Sequence, residues 1–219
     1  MTVDQTDLAH VCAFDQVVKQ LAQALWSIAP ASVSVGARRI DADDVTTLFA
    51  EEQLAVARAV TSRRIEFATG RALLRSLIGR RVAIAVAANR GPLLPTDVRG
   101  SLAHDREFAV AAISRDPRIT SIGIDIEPMT ALEPDMCSVI LRPDERHLDA
   151  HLAFTLKEAT YKAWSALGGR MLDFHEVRLD ITGSGFHADV VGESAHFGGT
   201  FVSAGDRWVA LVVATWNRQ

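Results

Sequence analysis

The chain has 219 residues, 48% of them apolar, and a formal net charge of −4 at pH 7; that suffices for one large domain or two small ones and is too acidic for a general nucleic-acid binder. No apolar run approaches the ~20 residues that span a bilayer, and MTVDQTDLAH lacks the basic start of an export signal. Cys12 and Cys137 form neither a C-x-x-C pair nor a disulfide framework, so the expectation is a cytoplasmic protein without membrane insertion.

In chain order, FDQVVKQLAQALWSIAP predicts a helix with Val17, Val18, Leu21, Ala24 and Leu25 on one face, closed by Pro30. SVSVGARRI alternates like a strand. DVTTLFAEEQLAVARAV and SRRIEFATGRALLRSLIG predict two helices, the second opened by Thr61 or Ser62 and stopped at Gly79. RVAIAVAA, GSLAH and EFAVAAIS read as strands. After the turn-like RDPRITS at 115–121 the order of element types begins again, with SIGIDIE as a strand, helices at 141–150 and 152–167, and EVRLDI, GFHADVV, GTFVSA and WVALVVAT as strands. The reading is an α/β (α+β) protein of two similar halves, 1–118 and 119–219.

Charge divides along the same line. Residues 58–99 carry Arg58, Arg63, Arg64, Arg71, Arg75, Arg80, Arg81, Arg90 and Arg99 against Glu66 and Asp97, an anion-seeking stretch. From 123 to 158 acids prevail. Within the first stretch Arg64, Arg71 and Arg75, seven and four apart, share a helix face that is either solvated or shaped to grip phosphate. In SIGIDIEP, Ile122, Ile124 and Ile126 alternate with Gly123, Asp125 and Glu127, whose two acids have Cα atoms ~6.6 Å apart on one face of a strand. That face suits a half-solvated strand or a divalent cation. FTLKEATYKAW places Lys157, Glu158, Tyr161 and Lys162 in a polar band and Leu156, Ala159, Ala163 and Leu167 toward a core, with Glu158 and Lys162 also an ordinary i, i+4 pair.

In combination, GIDIEP and the later FTLKEATYKAW resemble the paired signature of the 4′-phosphopantetheinyl transferases, (I/V)-G-(I/V)-D-x-E and (F/W)-x-x-K-E-A-x-x-K. RRIEFATGRALLRSLIG, RGPLLP and GSLAH are similar to that family's R-x-x-E-F-x-x-G-R, R-x-P-x-W-P and G-S-(I/L)-(S/T)-H segments. The resemblance runs from residue 60 to 175 and is to the longer, two-lobed subtype that serves siderophore, peptide and polyketide synthases and some fatty-acid synthases. Two departures stand out: Ala103 replaces the usual Ser or Thr, withdrawing a hydroxyl from the nucleotide site, and Leu94 replaces an aromatic.

The resemblance implies a pseudo-two-fold fold and transfer of 4′-phosphopantetheine from coenzyme A to a serine of an apo acyl or peptidyl carrier protein, releasing 3′,5′-ADP. It implies Mg²⁺, with Mn²⁺ as a substitute, on Asp125, Glu127 and Glu158, one of which takes the serine proton, Glu158 being the leading candidate, directly or through metal-bound water. Lys157 and Lys162 would stabilise charge on the coenzyme's phosphates. Arg64 and Arg71 would hold the 3′-phosphate, with Arg90 and His104 on the nucleotide. An acidic carrier would be steered by basic residues such as Arg75, Arg80 and Arg81, and a monomer would suffice because both halves of the site lie in one chain. His147, His151 and His175 have no motif context. Rival readings are a Mg²⁺-dependent phosphohydrolase and a non-catalytic module of the same fold that binds coenzyme A or a carrier.

Overall fold

A computed structural model describes residues 5–215, with side chains from Phe14 onward, so Cys12 lies outside the described side chains. Its first helix, α1 (Gln5–Ile28), buries Leu21 and Leu25 completely, and Pro30 follows its end. Strands β1 (Ser34–Arg39), β2 (Arg99–His104) and β3 (Phe108–Ser114) form an antiparallel sheet in the order β1-β3-β2. Helix α2 (Ala50–Ala55) is short, and α3 (Thr61–Ile78) ends at Gly79 in the left-handed region, φ 68°. β3 is buried on both faces: Phe108, Val110 and Ala112 meet the α1 side, while Ala109, Ala111 and Ile113 meet Leu73, Leu74 and Ile78 of α3.

The chain crosses to a second sheet between Ser114 and Ile119. There β4 (Ile119–Pro128), β5 (Val177–Thr182), β6 (Gly185–Val190), β7 (His196–Ala204) and β8 (Arg207–Thr215) pair antiparallel in the order β4-β8-β7-β6-β5. Helices α4 (Pro134–Ile140) and α5 (Ala150–Ala166) precede β5, and α5 covers one face of this sheet through Ala153, Leu156, Ala159 and Ala163. The molecule is thus a mixed α/β fold of two antiparallel sheets with their helices. One apolar cluster joins them, because Leu21 and Leu25 of α1 share it with Val110, Ile124 and Leu211. Polar ties cross the seam too: the Ile124 N–H donates to the Ser101 hydroxyl at 3.2 Å, and Arg207 Nε donates to Asp105 at 2.9 Å.

Three expected elements come out differently. Residues 81–88 alternate like a strand but form only a single bridge, Val86 to Pro92, because side chains take the backbone groups that a sheet would use. Glu52 accepts the Ile84 N–H at 2.8 Å, and Arg71 Nε donates to the Ile84 carbonyl at 2.7 Å. The helix expected over 44–60 is split at Phe49 into a 3-10 turn, Ala42–Thr47, and α2. Thr46 and Thr47 bond back to the carbonyls of Asp43 and Asp44, the habit that makes such residues poor helix interiors. In place of a helix at 141–150 there is only a turn, Pro143–Glu145. Proline lacks the N–H and disfavours helical geometry in Arg142, whereas Pro134 in the first turn of α4 is tolerated.

Candidate active site

α5 lies along the face of β4 that carries Gly123, Asp125 and Glu127. From Gly123 to Glu127 the strand meets Ala159 and Ala163, then Lys162, then His151, so helix and strand run in opposite directions. The approach is close: a Cβ at Gly123 would lie 1.9 Å from the Ala159 carbonyl oxygen. Glycine is therefore what lets the helix carrying Glu158 settle on the acids. The polar face of this strand is largely covered, with Glu127 half-buried at its end. Ile122, Ile124 and Ile126 face the cluster around α1, and Asp125 on the opposite face is 4% exposed.

A buried carboxylate without full compensation is costly. Asp125 Oδ1 accepts a hydrogen bond from Lys162 Nζ at 2.6 Å, and Lys162 also donates to the Ile124 carbonyl at 3.1 Å. Asp125 Oδ2 is buried and has no hydrogen-bond partner among the described residues. Burial pushes the Asp125 carboxyl pKa up against the pull of Lys162. Burial, and then the neighbouring Asp125, push Glu127 up to about 7, with His151 opposing; Glu158 is raised by the same two causes. Three acids thus crowd about one ammonium.

An orphaned carboxylate oxygen beside two further hard oxygen donors fits Mg²⁺. Among the described residues no three acidic, histidine or cysteine side chains already converge on one point.

The basic residues are placed less simply than their spacing implies. Arg63, the residue before the expected Arg64, brings Nη1 to 2.5 Å from His104 Nε2 and 3.4 Å from Glu66. An arginine only donates, so Nε2 accepts and the ring carries its proton on Nδ1, which faces the Asp105 carbonyl at 3.3 Å. Burial holds His104 below the ordinary imidazole range, with Arg63 adding to the effect and Glu66 opposing it. Arg64 is exposed and makes no side-chain hydrogen bond among the described residues. Arg71 is 4% exposed, stacks on Phe67 and holds Ile84; burial lowers its pKa to about 10. Arg90 is exposed at φ 67°, in a turn whose Asn89 side chain donates to the Ser165 carbonyl of α5 at 3.2 Å. Arg75 and Arg80 already pair with Glu52 and Asp97, leaving Arg81 the least committed of the three proposed for steering. Two surface grooves, one around Phe186 and Gly199 and one around Pro30 and Arg118, contain none of the candidate residues.

Comparison with known sequences shows the family. A profile described as the 4′-phosphopantetheinyl transferase N-terminal domain matches residues 50–114, and one described as the 4′-phosphopantetheinyl transferase superfamily matches residues 121–212. The 4′-phosphopantetheinyl transferase Npt of Nocardia iowensis is 32% identical over 84% of this chain and 93% of Npt. The chain belongs to the 4′-phosphopantetheinyl transferase superfamily. The transferase Svp of Streptomyces mobaraensis is 37% identical over 64% of this chain, a match that spans 63% of Svp. PptT of Mycobacterium tuberculosis is 33% identical over 67% of this chain and 69% of PptT.

In this phosphopantetheinyl transferase the two lysines of FTLKEATYKAW part company. Lys162 reaches the acids, but Lys157 turns into the second half and is 1% exposed. Its ammonium donates to Glu145 at 2.5 Å and to the carbonyls of Ile140 and Phe174 at 2.9 and 3.0 Å, which uses all three hydrogens. Glu145 in turn accepts the Leu179 N–H at 2.8 Å. The expected contact of Lys157 with the coenzyme's phosphates is therefore replaced by a structural one. Lys157→Met is expected to lower unfolding stability by about 3 kcal/mol in urea titration, because Glu145 is left buried without its counter-charge. Unchanged stability with a raised KM for coenzyme A would return Lys157 to the substrate.

Two smaller expectations are also corrected. Ala103 is buried in the apolar cluster with Phe108 and Val110, so a hydroxyl there would enter the core and not the nucleotide site. Leu167 is half exposed just past the end of α5, where the helical face no longer follows the core. Leu94 does behave as a packing residue, against the cluster around Val98 and Ile113. One residue was missed. His151 sits 3.5 Å from Glu127, and its signal was the seven-residue spacing to Glu158, which puts the two on one face of α5.

Proposed function

We propose that this transferase moves 4′-phosphopantetheine from coenzyme A to a serine hydroxyl of an apo acyl or peptidyl carrier protein and releases 3′,5′-ADP. The observation that carries the metal-dependent form of this reading is the buried, unpartnered Asp125 Oδ2, with Glu158 close enough to Asp125 for its pKa to be raised by it. Asp125, Glu127 and Glu158 would hold Mg²⁺, or Mn²⁺ in its place, whose charge would offset that of the pyrophosphate.

The serine oxygen attacks the phosphorus that bears pantetheine, the bond from that phosphorus to the 3′,5′-ADP oxygen breaks, and the serine proton passes to Glu158. A carboxylate whose pKa is raised by burial suits that role, since a base nearer neutrality is the better acceptor. Lys162, in reach of Asp125, would share the charge developing on the phosphates. The first half, 1–118, would take the nucleotide on Arg64, Arg90 and His104, with Arg63 beside His104; Arg71, buried on the Ile84 carbonyl, would reach a phosphate only by leaving it. The second half, 119–219, would supply the metal and the base. A monomer would suffice, since Asp125, Glu127, Glu158 and Lys162 lie in one chain, and the cysteine usage favours the cytoplasm. No helix among the described residues is long and apolar enough to cross a membrane.

The reading is tested by incubating the protein with coenzyme A, Mg²⁺ and a panel of apo carriers and weighing the carriers intact. The expected result is one phosphopantetheine per carrier serine with equimolar 3′,5′-ADP. Phosphate release without a carrier adduct would mark a phosphohydrolase, and tight coenzyme binding with no turnover a non-catalytic module.

A further inference from the structure

His151 is 8% exposed in the first turn of α5, and every contact of its ring is directional. Nδ1 lies 2.7 Å from the Thr130 carbonyl, in the segment just past β4, and donates to it. The ring edge rests on Phe154 at a centroid distance of 6.3 Å, which holds the imidazole plane. Nε2 then points at Glu127 Oε2, 3.5 Å away. With Nδ1 donating to Thr130, Nε2 is the ring nitrogen left to face that carboxylate.

Glu127 needs such a hold. It stands near the end of β4, half-buried, and its side chain makes no other polar contact among the described residues. Asp125 is oriented by Lys162 and by its own burial, whereas Glu127 without a partner is free to change rotamer at the mouth of the site. The helix therefore grips the acidic strand face at two points: Lys162 on Asp125, and His151 on Glu127. His151 and Glu158 lie two turns apart on the same side, about 10 Å along the axis.

We propose that His151 is a positioning residue for Glu127. By bridging the Thr130 carbonyl to Oε2 it fixes the carboxylate so that Oε1 is presented to a divalent cation shared with Asp125 and Glu158. This rests on the metal-dependent reading above. Removing the partner that orients a metal-ligating side chain typically weakens metal binding by ~10–100-fold, which sets the size of the effect.

The test compares His151→Gln with His151→Asn, because the glutamine amide can reach the position of Nε2 and the asparagine amide that of Nδ1. Mn²⁺ is titrated into the full-length protein with coenzyme A present, and free Mn²⁺ is followed by electron paramagnetic resonance; kcat and the KM for coenzyme A are measured beside it. The expected result is Mn²⁺ affinity within about threefold of wild type for His151→Gln and at least about tenfold weaker for His151→Asn. The loss should appear in kcat at fixed Mn²⁺ and recover at high Mn²⁺, with the KM for coenzyme A unmoved. Adding His151→Asn to Glu127→Gln should cost little more than Glu127→Gln alone. Equal affinities in the glutamine and asparagine variants overturn the proposal while leaving the transferase reading intact. Absence of any Mn²⁺ binding by a wild-type protein that still modifies its carrier overturns both the proposal and the metal assignment.

Discussion

Gly123→Ala is expected to lower unfolding stability by at least about 3 kcal/mol and to reduce phosphopantetheine transfer by about 100-fold or more in the fraction that folds. The added Cβ would sit 1.9 Å from the Ala159 carbonyl oxygen and 2.8 Å from the Ala163 nitrogen, both backbone atoms of α5. No rotamer change relieves a clash with helix backbone, so the helix must move off the strand. Glu158, Lys162 and His151 ride on that helix beside the acids of β4. Gly198→Ala is the control, because a Cβ there meets nothing within 4 Å. Its stability should stay within about 0.5 kcal/mol of wild type. Urea titration with a carrier-modification assay measures both quantities. A stability loss under 1 kcal/mol in Gly123→Ala, with transfer retained, would show that the close approach of α5 to β4 is not required.

Glu158→Gln is expected to reduce transfer by ~10²–10⁴-fold, the range for losing a general base, with any lost metal affinity added to it. Stability should be unchanged or slightly higher. The sign follows from the raised pKa: a carboxylate whose pKa is higher in the folded state than in the unfolded chain binds its proton more tightly on folding, so its ionised form opposes folding near neutral pH. A neutral amide of nearly equal volume removes that opposition, including repulsion from Asp125. Single-turnover kinetics and thermal unfolding would be compared at one pH. A variant that loses stability by more than about 1 kcal/mol, and loses transfer only in step with the folded fraction, would make Glu158 a structural residue.

Both predictions turn on a pairing that was half visible in the letters. The alternation in SIGIDIEP and the motif FTLKEATYKAW pointed to a strand and a helix bearing acids, and to the family to which the chain belongs. That alternation also separated the isoleucine face from the Gly-Asp-Glu face, since side chains on a strand must point to opposite sides. The amino-acid order did not say what covers the acidic face. A solvated strand and a covered one have the same local pattern, and only the seating of α5 on Gly123 removed water from Asp125.

What the sequence by itself determined, then, is which residues could carry the chemistry and which elements hold most of them, because helix and strand periodicity and proline or glycine stops are local properties. What only the tertiary structure decided is where polar side chains find their partners. Lys157 and Glu158 are neighbours about 100° apart on one helix, yet Lys157 goes to Glu145 in the core and Glu158 lies by Asp125. α5 is buried on more than one side, so its polar band divides according to charges brought from distant segments. Residues 81–88 failed as a strand for the same reason, since Glu52 and Arg71 claimed Ile84's backbone before any sheet edge could. His151 had no motif because its meaning lies in Glu127 and Thr130, more than twenty residues away in the chain and within 4 Å in the fold. Burial makes each unpaired polar group expensive, and the partner that satisfies it is chosen by proximity in the folded chain, which no local pattern encodes.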